Sequence, residues 1–154
     1  MISGRLLVTY SQIAIFNSDL DIPFNDWSDV QVKQGFSWRE EAVSFRTLID
    51  GAYTQVEVDS VMEFIPSPNS VRSISVPFLC NQSDGIEVAT ITSSMNIYFR
   101  PGRYQLVFET GLITDSESWC RFSLIMNRNM DPVILKLHNA LSPEYPLLMG
   151  AAPA

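Results

Sequence analysis

The sequence has one histidine, two cysteines and no apolar run as long as a membrane helix. A zinc site or a histidine relay needs several such side chains converging, and His138 with the distant Cys80 and Cys120 does not supply them. Without ~18–20 successive apolar residues there is no helix to span a bilayer. Positive charge is also scarce: ten Lys and Arg stand against 17 Asp and Glu, a net of −7. Nucleic-acid binding relies on clustered Lys and Arg facing phosphates, so direct contact with DNA or RNA is not expected. Gly-rich phosphate loops and the G-x-S-x-G elbow are missing as well. Neither an enzyme nor a bound cofactor or metal is expected.

What is present is 154 residues, 46% hydrophobic and 18% charged, which suits a single β-rich domain over 1–154 with a real core. The charge is unevenly placed. Between Asn17 and Phe64 lie Asp19, Asp21, Asp26, Asp29, Glu40, Glu41, Asp50, Glu57, Asp59 and Glu63, against Lys33, Arg39 and Arg46. This stretch alone carries −7; the residues before it sum to +1 and those after it to −1. Such an excess is either a solvated face or a surface that attracts a cationic partner. The opening Met1–Phe16 is interrupted by Ser3, Thr9, Ser11 and Gln12, so it reads as strand rather than leader. The expected location is therefore cytoplasmic, with Cys80 and Cys120 as reduced, buried small hydrophobes, a disulfide being the other possibility.

Strand signals dominate. They fall at Leu6–Tyr10, Ile13–Phe16, around Val43 and Phe45, from Val56 to Phe64, and from Val71 to Phe78. More follow at Ile86–Ile91, Met95–Phe99, Tyr104–Phe108, Trp119–Met126 and Val133–Leu137. Asn81-Gln82-Ser83-Asp84-Gly85 and Pro101-Gly102 read as turns, and Thr110–Ser118 as a polar loop. Short strands at this spacing predict an all-β sandwich. One short helix near residues 27–35 interrupts them, with Asp26 as N-cap, Lys33 in its last turn and Gly35 as its stop. The tail 142–154, with Pro143, Pro146 and Pro153, reads as extended or frayed.

Aromatics share the acidic half. Trp27 reads as a helix anchor or core residue. Trp38, in Ser37-Trp38-Arg39-Glu40-Glu41, reads as an exposed connector between helix and strand. An aromatic flanked by acids is a candidate interface anchor, because aromatics concentrate binding energy while acids steer approach.

Several segments, in order, resemble the competence protein ComJ family. They are Val8–Phe16, Asp26-Trp27-Ser28-Asp29, Gln34-Gly35-Phe36, Ala42–Phe45, Ile74–Phe78, Gly85–Val88 and Phe99–Leu106, spanning roughly residues 6–110. The resemblance implies a small β-rich protein that inhibits a DNA-uptake nuclease by binding the enzyme rather than DNA, as an immunity protein neutralises its toxin. Within that family motif, Tyr10 and Phe16 read as core. An acidic inhibitor would be drawn to the positive cleft that a nuclease offers its substrate. The expected partner is thus a cognate nuclease with a basic cleft, met by Asp26, Asp29, Glu40 and Glu41, with Trp27 or Trp38 as apolar anchor. The alternative is a carbohydrate- or metal-binding β-sandwich module.

Overall fold

In the computed structural model, which describes residues 1–81, 84–126, 128 and 130–154, eleven strands form two facing sheets. The six-stranded sheet is ordered β1 (Ile2–Leu7), β5 (Tyr53–Val61), β10 (Glu117–Met126), β9 (Gly102–Thr114), β6 (Arg72–Cys80) and β11 (Val133–Lys136). The five-stranded sheet is ordered β3 (Phe36–Arg39), β4 (Ala42–Arg46), β2 (Gln12–Asn17), β7 (Ile86–Ala89) and β8 (Ser94–Ile97). Neighbouring strands are antiparallel except β5 and β10, which run parallel. The helix α1 spans Asp29–Gln34. The all-β fold with one short helix is as the sequence predicts.

The core lies between the sheets and follows from period-two patterning. In β5, Thr54, Val56 and Val58 are buried while Gln55 and Glu57 face out. Ile13 and Ile15 of β2 meet them from the other sheet, and Phe45 stacks on Phe108 with ring centroids 4.4 Å apart. Each such side chain contributes about 1.5–3 kcal/mol on burial. Pro77 sits in β6 beyond the last pairing with β11, so its missing N–H breaks no ladder bond.

Several expectations are corrected. The first strand ends at Leu7, and Tyr10 and Ser11 form a turn at positive φ, which leaves Tyr10 78% exposed rather than in the core; Phe16 is buried as expected. Ser37-Trp38-Arg39 is not a connector but strand β3, an edge of its sheet. Thr110–Ser118 is mostly strand, with only Asp115 and Ser116 turning between β9 and β10. The predicted turn at 81–85 includes residues 82 and 83, which lie outside the described residues. The tail is extended and tied down: Gly150 and Ala151 donate to the Trp38 carbonyl, and Ala154 donates to that of Phe24.

Because β10 lies beside β5, the chain leaving β5 must cross β10 and β9 to reach β6. It does so over the outer face of the six-stranded sheet, where main-chain groups need partners. Glu109, fully buried on β9, supplies them: its carboxylate accepts from the Ser67 N–H at 2.9 Å and pairs with Arg121. Arg121 in turn donates to the Ile65 carbonyl at 2.9 Å. Replacing Glu109 by Gln leaves Arg121 without its counter-ion beneath the crossing chain. Glu109→Gln is expected to lower stability by about 3 kcal/mol, read as a lower urea midpoint at unchanged m-value.

Candidate functional site

The expected site residues are placed by Asn25. Its side-chain amide, 2% exposed, donates to the Ser37 and Ala42 carbonyls, both at 2.8 Å, and its oxygen accepts from Arg39 Nε at 2.6 Å. This fastens the segment after β2 against the β3–β4 hairpin, where Phe24 packs on Phe16 over the outer face of the sheet. Asp26 follows, exposed, with its N–H donating to Ala152 and its carbonyl accepting from Ser37 Oγ. Trp27 is half-buried, its indole N–H donating to Gln12 Oε1 at 3.1 Å. The helix N-cap is Ser28 rather than Asp26. Ser28 and Gln31 form a reciprocal capping box, and Gly35 closes the helix in the left-handed conformation at φ 88°. Asp29 is exposed in the first turn, on the positive end of the helix.

Glu40 and Glu41 form the β3–β4 turn. Glu40 pairs with Arg103 at 2.6 Å. Glu41 accepts from the Asn81 amide at 2.7 Å, and the same amide reaches Asp19 at 2.9 Å. Trp38 turns inward: it packs on the core, and its indole N–H donates to the Pro77 carbonyl at 2.7 Å. The six residues thus divide into Asp26, Trp27 and Asp29 before and in α1, and Glu40 and Glu41 at the far end of β3. At ~3.3 Å per strand residue these ends are about 10 Å apart. Trp38 lies between them with its indole committed to β6.

The acidic stretch divides as well. Asp50 holds the turn at Ser11 through its backbone N–H. Glu57 and Asp59 project from the opposite sheet with Glu63 just beyond them, beside Trp119 and Arg121 on β10. Trp119 is the aromatic that local sequence does not point to, because only strand pairing sets it opposite Gly111.

Little here supports nucleophilic or acid–base chemistry. Both cysteines are buried and unpaired, and burial raises both thiol pKa values, which keeps them protonated. Among the described residues no three His, Cys, Asp or Glu side chains converge as a metal site. His138 instead serves Arg72, which is 1% exposed and donates to the Arg46 carbonyl at 2.7 Å and to His138 Nδ1 at 3.3 Å. Burial and the neighbouring Arg46 bring the Arg72 guanidinium down to about 10. Burial, Arg72 and Arg46 lower the pKa of His138, keeping its ring neutral as an acceptor.

Comparison with known proteins now decides the family. A model of the ComJ family, competence protein J, matches residues 5–128. The chain belongs to the ComJ family. The match extends through β10, past roughly residue 110 where the motif resemblance stops, and ends before β11 and the tail. The crystal structure of ComJ from Bacillus subtilis, an inhibitor of the DNA-degrading activity of NucA, has the same fold. Its TM-score is 0.68 at 21% identity, covering 82% of this chain and 96% of that one. A second solved structure, crocagin biosynthetic gene J, gives a TM-score of 0.53 at 16% identity over 83% of this chain and all of the other. No curated protein matches.

The His138 contact sets a pH dependence. Because its folded pKa is depressed, the unfolded chain takes up the proton first as pH falls through ~6.5, so stability falls with it. The melting temperature is expected to drop between pH 7.5 and 5.5, and His138→Gln, which still offers Arg72 an oxygen, to flatten that slope. An unchanged slope in the variant would remove His138 as the cause.

Proposed function

We propose that this protein is a cytoplasmic nuclease inhibitor that acts by binding a cognate DNase and covering its active site, with no turnover of its own. The observation that carries the reading is membership of the ComJ family, joined to a fold shared over nearly the whole length of a NucA inhibitor. Electrostatics supports the mechanism. A DNase presents Lys and Arg to a polyanion, and a protein of net charge −7 is attracted by the same field. Asp26 and Asp29 are exposed and, among the described residues, form no ion pair; Glu40 is engaged by Arg103 and Glu41 by Asn81. Free carboxylates cost less to bring against a partner's guanidinium than carboxylates that must first release one. Asp26 and Asp29 are therefore the stronger pair, with Trp27 beside them.

The test is DNA cleavage by a NucA-type nuclease with a stoichiometric amount of this protein. Cleavage is expected to stop, with association slowing as salt rises. The double variant Asp26→Lys/Asp29→Lys is expected to associate roughly tenfold more slowly at low salt, the gap narrowing at high salt. Full inhibition by the variant at the wild-type rate would place the contact elsewhere.

A further inference from the structure

The crossing segment that Glu109 anchors leaves a groove on the outer face of the six-stranded sheet, and its lining is not that of a merely solvated surface. At one end is a cleft of about 290 Å³ walled by Trp119, Ile113, Gln55, Glu57 and Asn69. A second cleft of about 200 Å³ continues from it along β5, past Glu57, Asp59 and Glu63 to Ile65. The two share Glu57 and Arg121. Trp119 is seated by absence of bulk: a Cβ at Gly111 would fall 2.6 Å from its Nε1 and 2.7 Å from the Asn69 carbonyl oxygen. The strands thus hold an indole across a glycine at the end of the groove, half-buried, with Ile113 45% exposed nearby.

Among the described residues, the side-chain charge along this groove that is left without an ion pair is negative. Arg121 is spent on the buried Glu109, and Arg5 pairs with Glu117 while stacking on Tyr53. Asp59 pairs with the chain's amino group at 3.5 Å. Glu57 and Glu63 are exposed and form no ion pair among the described residues. An indole beside unpaired carboxylates suits a cation on an apolar stem, which gains from ring and charge together.

We propose that this groove binds an arginine- or lysine-bearing polypeptide segment, its cationic head between Trp119 and Glu57 and the following chain along Asp59 and Glu63. It lies on the sheet opposite the one bearing Asp26 and Asp29, so it is a second contact surface and does not depend on the nuclease reading.

The test needs no nuclease. The 15N-labelled protein is titrated with acetyl-Gly-Arg-Arg-Gly-amide, its lysine analogue, an acidic Gly-Glu-Glu-Gly control and cellohexaose, followed by amide and indole N–H shifts. The expected result is saturable shifts with the cationic peptides at the Trp119 indole N–H and at residues 55–59, 111–113 and 119–121. Glu57→Gln, an exposed change that leaves the core alone, is expected to weaken this binding roughly fivefold. Trp119→Ala is expected to abolish it while the remaining spectrum stays dispersed. The proposal is overturned by shifts confined to Asp26 and Asp29, by the absence of saturation, by equal response to the acidic peptide, or by cellohexaose binding in place of the cations.

Discussion

The arrangement of this sandwich depends on one buried carboxylate. Placing β10 parallel to β5, between it and β9, forces the β5–β6 connection across two strands. A connection over a sheet hides its own peptide groups and those side chains of the sheet that would otherwise meet water. Glu109 resolves both demands, since one oxygen takes the Ser67 N–H and the other takes Arg121, whose Nη2 also donates to the Ile65 carbonyl. A hydrophobic residue at 109 would leave the Ser67 N–H and the Arg121 charge without that partner, each costing more than the burial returns. The same span also borders the groove, lining one cleft with Ser67 and Asn69 and the other with Glu63 and Ile65.

The opposite side of the sandwich is closed by residues that the family model does not reach. β11 extends the sheet beyond β6, His138 accepts from Arg72, Leu141 lies against Gly35, and Ala151 takes the free carbonyl of Trp38. An open β3 edge would offer unpaired main-chain groups for association. Here the tail occupies part of that edge, while the irregularity between Ile134 and Lys136 interrupts the ladder at β11. Strand pairing with another chain is thereby disfavoured on this side.

The elements readable from sequence were those whose signal is local. Alternation in Gln55-Val56-Glu57-Val58-Asp59 is a β5 signature, and Lys33 with Gly35 marks the end of α1. The N-cap was displaced because Asp26 and Ser28 are both good caps, and only the reciprocal Gln31 contact separates them. β3 is not legible locally because four residues straight after a helix stop carry too short a pattern, and its partner β4 decides it. Thr110–Ser118 looked like a loop because its polar residues are satisfied across strands, as where Thr110 Oγ1 donates to the Trp119 carbonyl. The Trp119–Gly111 pair is invisible locally for the same reason. The acidic run is contiguous in sequence yet lies on two sheets, since the chain changes sheet between β4 and β5.

That division bears on how an acidic protein gains specificity. Long-range attraction is set by the summed charge and is little affected by which face carries it. Contact is different, because a carboxylate helps only where its desolvation is repaid by a fixed partner geometry. Asp26 and Asp29 stand exposed beside a Trp27 whose indole is held by Gln12. Glu57 stands beside a seated indole with open volume. Summed charge therefore sets how fast a cationic group approaches, and only fixed local geometry sets how long it stays.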